Sequence, residues 1–341
     1  MTHALRRSRL KRLTGELKKL TKQTLSLYCE LLKVMIPVMI LVRLAVEFGA
    51  IEVVGKLIAP IMGWVGLPGE MGFVWVTAMI VNIYAGAAAL LTILPEYPLT
   101  IGQATILGSM ILIAHSLPVE QRIAQKAGAG IFFTLSLRLI AAMLYGMMLS
   151  AFYSNFADFQ KPAEVVFLSL APPAQDWLSW AVSSIKSLWS IFWIIFVLLF
   201  GLRLLDILKI TPLLAKALSP FLRLMGIGEE ATSMTVTGAL LGISYGGALI
   251  IQEARSGNLT EKDIFLSLSF MCLCHGLIED TLFVMAFGGH YSGLLIGRFI
   301  FSLLAIMVLS QVVNKMPQLA FQRYLFSRSG YSASQTTAGQ V

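Results

Sequence analysis

The sequence predicts an all-α integral membrane protein built from two homologous repeats, on the evidence of composition, long apolar segments and an internal duplication. Of its 341 residues, 57% are hydrophobic and 13% are charged, and the mean hydropathy is +0.79. Because soluble domains are about one quarter charged, this composition excludes an ordinary water-soluble fold. A helix that crosses a bilayer needs about 20 mainly apolar residues. Segments of that length lie near 31–52, 71–94, 127–152, 187–208, 233–252 and 291–313.

The second half of the chain repeats the first at a spacing of 160 residues. Identical residues recur at this spacing: Arg43 and Arg203, Lys56 and Lys216, Pro60 and Pro220, Gly66 and Gly226, Glu70 and Glu230, Thr77 and Thr237, Ala88 and Ala248, Thr100 and Thr260, His115 and His275, and Arg138 and Arg298. Two shorter apolar segments, near 101–117 and 262–288, contain polar residues, so each repeat has about four apolar helical segments. Duplicated membrane folds are common among secondary transporters. Transport is therefore the first functional hypothesis.

Charge and hydropathy divide the chain into distinct parts. These are a basic amphipathic helix (1–27), a first membrane repeat (28–152), a linker (153–186), a second membrane repeat (187–316) and a disordered C-terminal tail (317–341). Residues 1–23 carry eight Lys or Arg against the single acid Glu16, which is a local charge of +7 out of a total of +8. Such a segment marks the cytoplasmic side of a multi-pass membrane protein and binds the lipid surface rather than nucleic acid. The C-terminal tail also carries cations without acids, so both termini are expected in the cytoplasm.

Equivalent loops of the two repeats differ in charge, which bears on their orientation. Residues 49–70 contain one cation, whereas residues 202–230, which include their copies, contain four. This difference favours inverted repeats, whose equivalent loops face opposite sides of the membrane. Inversion needs an odd number of crossings in each repeat. Because the count of apolar segments is four, inversion further requires that one segment is broken or re-entrant, and the sequence leaves this open.

Small and polar residues interrupt one apolar helix in each repeat. The interruptions are Asn82–Gly86 and its copy Gly242–Gly247. Polar or unwound positions at membrane depth are tolerated mainly where they line a cavity. The candidate substrate-binding residues are Asn82, Tyr84, Gly86, Ser244, Tyr245, Gly246 and Gly247. The structural alternative is close packing of helices through small residues.

A second matched position combines histidine with acids. His275 and Glu279 are four residues apart and share one helix face, while in the first copy Pro118 displaces the acid to Glu120. The candidate residues are His115, Glu120, His275, Glu279 and Asp280. They are expected to act as a proton relay or to hold another coupling cation. The alternatives are a divalent-metal site, joined by Cys272 or Cys274, and a structural hydrogen-bonded pair.

Arg138 and Arg298 lie among apolar residues, where each needs a neutralising partner. Glu279 and Asp280 are the candidates.

No motif of a classical hydrolase, zinc protease or phosphate-binding loop occurs in the sequence. We therefore expect no enzymatic activity. No cofactor is expected apart from the metal or coupling cation described above. The expected partners are the lipid bilayer, a small-molecule or ion substrate, and a further copy of the chain in a homo-oligomer.

Two stretches of the second repeat, Gly242–Glu253 and Cys274–Gly289, resemble the nucleoside-recognition or Gate domain. That domain occurs in spore maturation proteins A and B, in the membrane part of Feo-type ferrous iron transporters and, more distantly, in concentrative nucleoside transporters. The resemblance is clearest over 187–313 and extends through the internal repeat to 31–152, which implies two tandem copies in a cytoplasmic (inner) membrane protein.

The resemblance implies a transporter or permease for a small solute, nucleoside-like or otherwise organic, coupled to an ion or to protons. One alternative is a divalent metal permease that uses the His, Glu and Asp residues of both repeats. Another is a non-transporting membrane scaffold, in which the basic N-terminal helix would matter more than the core.

Overall fold

The computed structural model describes residues 2–165, 176–242, 250–252 and 259–326. Within these ranges every regular element is a helix, and the extended pairings are isolated bridges that join Thr100 to Pro162 and Ala129 to Phe326. The predicted all-α class is therefore confirmed.

The first repeat begins with one long helix. Its helices are α1 (Thr2–Glu47), α2 (Ala50–Trp64), α3 (Met71–Ile80), α4 (Ile83–Ile93), α5 (Ile101–Ile113), α6 (Leu117–Lys126) and α7 (Ile131–Tyr153). Since α1 is continuous, the basic segment and the first apolar segment form a single helix, and no structural boundary lies at residue 27. A short 3-10 helix, Ala157–Gln160, follows α7 in the predicted linker.

In its described residues, the second repeat reproduces helices of the first. Its helices are α8 (Trp177–Ile207), α9 (Ile210–Leu224), α10 (Glu229–Leu241), α11 (Glu261–Leu273), α12 (Glu279–Met285), a π-helical turn (Ser292–Gly297) and α13 (Arg298–Lys315). Both α9 and α11 begin and end 160 residues after α2 and α5, so the duplication in sequence is also one of structure. Because α8 begins at Trp177, the predicted linker ends before residue 186.

Several helices have the length and apolarity needed to cross a membrane. In the described part of the chain, five candidate spans occur: Thr24–Glu47, Ile101–Lys126, Ile131–Tyr153, Trp177–Leu205 and Ser292–Lys315. Two shorter apolar helices, α3 and α4, divide the predicted segment 71–94 between them. The prediction of a multi-pass membrane protein with broken helices is consistent with this arrangement.

The expectation of a disordered tail from residue 317 is wrong for its first part. Residues Gln318–Tyr324 form α14, in which Phe321 is fully buried, and Phe326 directly after it is 1% exposed. The rings of Phe321 and Phe326 stack with centroids 5.8 Å apart. Burial of these aromatic side chains stabilises the segment. Residues 327–341 lie outside the described ranges.

The centre of the protein is formed by α5 and α11. Both helices are buried on all sides, over 104–113 in α5 and 264–273 in α11, as expected for helices that are apolar all round. Thr100 and Thr260 cap their N-termini with side-chain oxygens. A histidine lies two residues beyond the C-terminal end of each helix, so both histidines enter the interior.

Candidate functional site

His115 and His275 are both held by the helix that precedes them. His115 Nδ1 lies 2.9 Å from the carbonyl oxygen of Ile111, and His275 Nδ1 lies 2.6 Å from that of Met271. A carbonyl oxygen can only accept, so each Nδ1 carries a hydrogen and donates it. In the neutral imidazole, Nε2 then presents a lone pair. The two backbone contacts thereby fix both the tautomer and the direction of each ring.

The two histidines meet at the pseudo-symmetry axis of the molecule. Their Nε2 atoms are 3.3 Å apart, and the residues are 160 positions apart in the chain. A residue that contacts its own equivalent must lie on the axis that relates the repeats. Tyr28 and Leu188 form a second pair of this kind, in which the Tyr28 hydroxyl donates to the Leu188 carbonyl at 2.8 Å. The histidine pair is therefore shared equally by the two repeats.

Glu120 joins the pair from the first repeat. Its Oε1 lies 3.3 Å from His115 Nε2 and 3.4 Å from His275 Nε2. Its Oε2 accepts a hydrogen bond from Arg138 Nη1 at 2.5 Å. All four side chains are buried. One carboxylate oxygen thus faces the histidines while the other faces a guanidinium.

Asp280 joins from the second repeat, at the position equivalent to Glu120. One carboxylate oxygen of Asp280 and one ring nitrogen each of His115 and His275 lie within 4.8 Å of one another, which could hold a metal ion. The carboxylate packs against Gly276, whose φ of +57° suits glycine. Cys272, Cys274 and Glu279 do not belong to this group, and Glu120 contacts its two histidines without being within the same distance of all three ligand atoms. Of the predicted coupling residues, four therefore converge.

The two buried arginines of the repeats are bonded differently. Arg138 donates from Nε to Ile113 O at 2.7 Å and from Nη2 to His115 O at 2.9 Å, in addition to its ion pair with Glu120. Arg298 is equally buried but donates from Nη2 to Thr281 Oγ1 at 3.0 Å, while its Nε and Nη1 have no partner among the described residues. The partner of Arg138 is thus Glu120, not the expected Glu279 or Asp280.

The helix break predicted at Asn82 is present in the first repeat. Asn82 lies between α3 and α4, and its Oδ1 accepts a hydrogen bond from Ala85 N at 2.9 Å as the N-cap of α4. Tyr84 packs its ring 4.7 Å from the ring of Phe283 in the second repeat. Gly86 packs against Ala78 so closely that a Cβ would lie 2.7 Å from the Ala78 methyl. Gly86 therefore has a packing role, as in the structural alternative.

The candidate binding residues of the second repeat, Ser244, Tyr245, Gly246 and Gly247, lie outside the described residues. An apolar cavity lies between α4, α5 and α12, beside Tyr84. It is lined in part by Ile83, Ala87, Leu107, Gly108, Phe283 and Val284. This cavity and the histidine pair both lie between the repeats.

Two contacts of α7 were not predictable from sequence. The Tyr145 hydroxyl donates to Gly293 O, and the Tyr153 hydroxyl contacts Ser292 Oγ, each at 2.7 Å. Both contacts hold the π-helical turn that precedes Arg298. The equivalents of these tyrosines in the second repeat are Ala305 and Val313, so no repeated motif marks them.

Comparison with known proteins supports the resemblance seen in the sequence. Residues 29–159 match the model of the Gate family, described as nucleoside recognition; the match falls on the first repeat rather than the second. An uncharacterized membrane protein of Bacillus subtilis (strain 168), YvoD, is 26% identical over 287 residues, which cover 83% of this chain and 90% of that protein. No solved structure matches the chain significantly. The resemblance to the Gate, or nucleoside-recognition, family of membrane proteins is thus confirmed, with the match over residues 29–159.

Proposed function

We propose that the protein is a transporter for a small organic solute, in which a cation bound by His115, Glu120, His275 and Asp280 is coupled to movement of the solute. The observation that carries the proposal is the approach of two histidine Nε2 atoms to 3.3 Å beside a carboxylate oxygen, on the axis between the repeats. Two neutral imidazoles in this tautomer would turn lone pairs toward each other. A cation between them removes that repulsion.

The position of the cluster supports coupling. Two of its side chains come from each repeat, so any movement of one repeat against the other changes the distances between the ligand atoms. A cation that binds the closed arrangement more tightly stabilises that conformation by the difference in its affinity for the two states. Ionisable groups at membrane depth are costly and are retained mainly on substrate or ion pathways.

The features of the solute site point to a molecule with an apolar or aromatic face. The cavity between α4, α5 and α12 has mainly apolar walls, and Tyr84 and Phe283 lie at its side. Asn82 and Tyr84 supply polar groups at the helix break. A nucleoside-like compound has a flat ring and several hydroxyls, which match the chemistry of these residues. The cavity in this conformation is only large enough for a water molecule, so binding of such a solute requires the helices around it to move apart.

Uptake into proteoliposomes tests the proposal. The purified full chain is reconstituted and supplied with radiolabelled uridine or adenosine, with and without an inward cation gradient. We expect uptake by the native chain that falls at least about tenfold in His275→Ala, whereas His290→Gln, a histidine variant outside the cluster, retains it. Absence of gradient-dependent uptake of nucleosides and of a wider panel of small organic solutes would reject transport. A loss of function confined to deletion of residues 1–23 would instead favour a scaffold.

A further inference from the structure

We propose that the cation at the axis is a divalent metal ion of the zinc class, held tetrahedrally by His115 Nε2, His275 Nε2, Glu120 Oε1 and one carboxylate oxygen of Asp280. The inference rests on the proposed function only in using the same cluster, and it names the cation. It does not depend on which solute is carried.

The distances between the ligand atoms carry the argument. Zinc binds imidazole nitrogen at about 2.0–2.1 Å and carboxylate oxygen at about 2.0–2.2 Å, so neighbouring ligand atoms of a tetrahedral site lie about 3.3–3.5 Å apart. The three distances among His115 Nε2, His275 Nε2 and Glu120 Oε1 are 3.3, 3.3 and 3.4 Å. These three atoms form one face of such a tetrahedron.

Asp280 provides the fourth ligand from the opposite repeat. Its carboxylate oxygen lies within 4.8 Å of the nitrogen ligands of both histidines, so Asp280 has to move toward the other three ligand atoms to complete the coordination. Arg298, the equivalent of Arg138, bonds Thr281 rather than Asp280. Arg298 therefore leaves the Asp280 carboxylate available to a metal.

The surrounding contacts match those of metal-binding histidines. Such histidines usually donate their second ring N–H to a carbonyl or carboxylate, which orients the ring and strengthens the ligand. His115 and His275 do this through Ile111 O and Met271 O. Glu120 is likewise held through Oε2 by Arg138, which leaves Oε1 directed at the histidines. All three ligands are thus oriented before a metal arrives.

The donor set defines the class of metal. Two imidazoles and two carboxylates suit Zn²⁺, Co²⁺, Fe²⁺ or Mn²⁺, whereas soft ions such as Cu⁺ prefer thiolate or thioether. The two carboxylates also balance the charge of a divalent ion. Monovalent alkali cations prefer oxygen ligands, so the paired imidazoles disfavour them.

Metal binding by the purified full chain tests the inference. The protein is stripped with a chelator in detergent, and Zn²⁺ is titrated against a chromophoric competitor; Co²⁺ is then used to record the visible absorption of a four-coordinate site. We expect one ion per chain, with affinity at least about tenfold weaker in His275→Ala and in Asp280→Asn. His290→Gln is the matched control and keeps native affinity. Asp280→Asn preserves side-chain shape, so it carries the test if His275→Ala fails to fold.

The outcomes separate this inference from the proposed function. Failure of the native chain to bind Zn²⁺ and Co²⁺, or equal binding by both cluster variants, overturns the metal site and leaves cluster-dependent solute uptake standing. Stoichiometric metal binding without solute uptake supports the metal site and rejects the solute transporter. Uptake of Zn²⁺ itself into proteoliposomes that contain a zinc fluorophore would support the site and make the metal the cargo.

Discussion

Arg138 and Arg298 occupy equivalent positions, yet they should contribute oppositely to stability. Arg138→Met leaves the buried charge of Glu120 without its guanidinium, and loss of one partner of a buried ion pair costs about 3–5 kcal/mol. Arg298→Met removes a fully buried guanidinium whose Nε and Nη1 lack partners in the described part of the chain. Since an unsatisfied buried polar group costs about 1–3 kcal/mol, this variant should match or exceed the native stability.

Thermal melting of the two variants in the same detergent measures the difference. Methionine fills a similar volume in both cases, so the comparison isolates the guanidinium. A large drop in melting temperature for Arg298→Met, equal to that for Arg138→Met, would show that Arg298 is also fully bonded in solution.

At the residue scale, the sequence predicted that histidines and acids of both repeats converge, because the 160-residue spacing places His115 and His275 at equivalent positions. It did not predict which acids take part. Asp280 is included and Glu279 is not, although they are adjacent, since the side-chain direction depends on the tight turn at Gly276. It also did not identify Glu120 as the partner of Arg138, a contact made through tertiary packing of α6 on α7.

At the element scale, a matched pair of glycines ends α2 and α9. Gly66 and Gly226 have φ of +70° and +79°, and a Cβ there would lie 2.5 and 2.6 Å from the hydroxyl oxygens of Ser150 and Ser310. A non-glycine residue in the left-handed region costs about 1–2 kcal/mol, and the serine contact adds to it. We therefore expect Gly66→Ala to destabilise the protein by at least about 1 kcal/mol.

Gly63, one turn earlier, provides the control for this prediction. It is an exposed helical residue of α2, and an alanine methyl group at this position would have no neighbouring atom within 4 Å. Alanine also favours the helix by up to about 1 kcal/mol relative to glycine. Chemical or thermal unfolding should place Gly63→Ala at or above native stability and Gly66→Ala below it. Equal stability of the two variants would contradict a left-handed helix end at Gly66.

Helix breaks and caps could be predicted from local residue chemistry, whereas irregular turns could not. Asn82 in an apolar segment predicted the break between α3 and α4, because its side chain satisfies a free backbone N–H. The π-helical turn Ser292–Gly297 has no local signal, since Tyr145 and Tyr153 hold it from a distant helix. The ordered helix α14 was missed for the same reason: its aromatic side chains gain their stability from contacts with each other and with the core.

At the scale of the whole molecule, the duplication predicts how the two repeats lie in the membrane. The described part of the first repeat has three candidate spans, Thr24–Glu47, Ile101–Lys126 and Ile131–Tyr153, beside the short pair α3 and α4. An odd number of crossings turns the second repeat upside down relative to the first. The helices α2 and α9 would then lie on opposite faces of the membrane.

Lys56 and Lys216 test this orientation because they are equivalent, exposed residues of α2 and α9. In a chain carrying Cys29→Ser, which removes the exposed native thiol, we expect Lys216→Cys to react with a membrane-impermeant maleimide only from the cytoplasmic side, where cations accumulate. Lys56→Cys should react only from the outside. Labelling of intact cells and of inverted vesicles distinguishes the two sides, and the buried Cys272 and Cys274 should stay unreactive in both. If both introduced cysteines react from the same side, the repeats are parallel, and the axis through His115 and His275 runs along the membrane normal instead of within its plane.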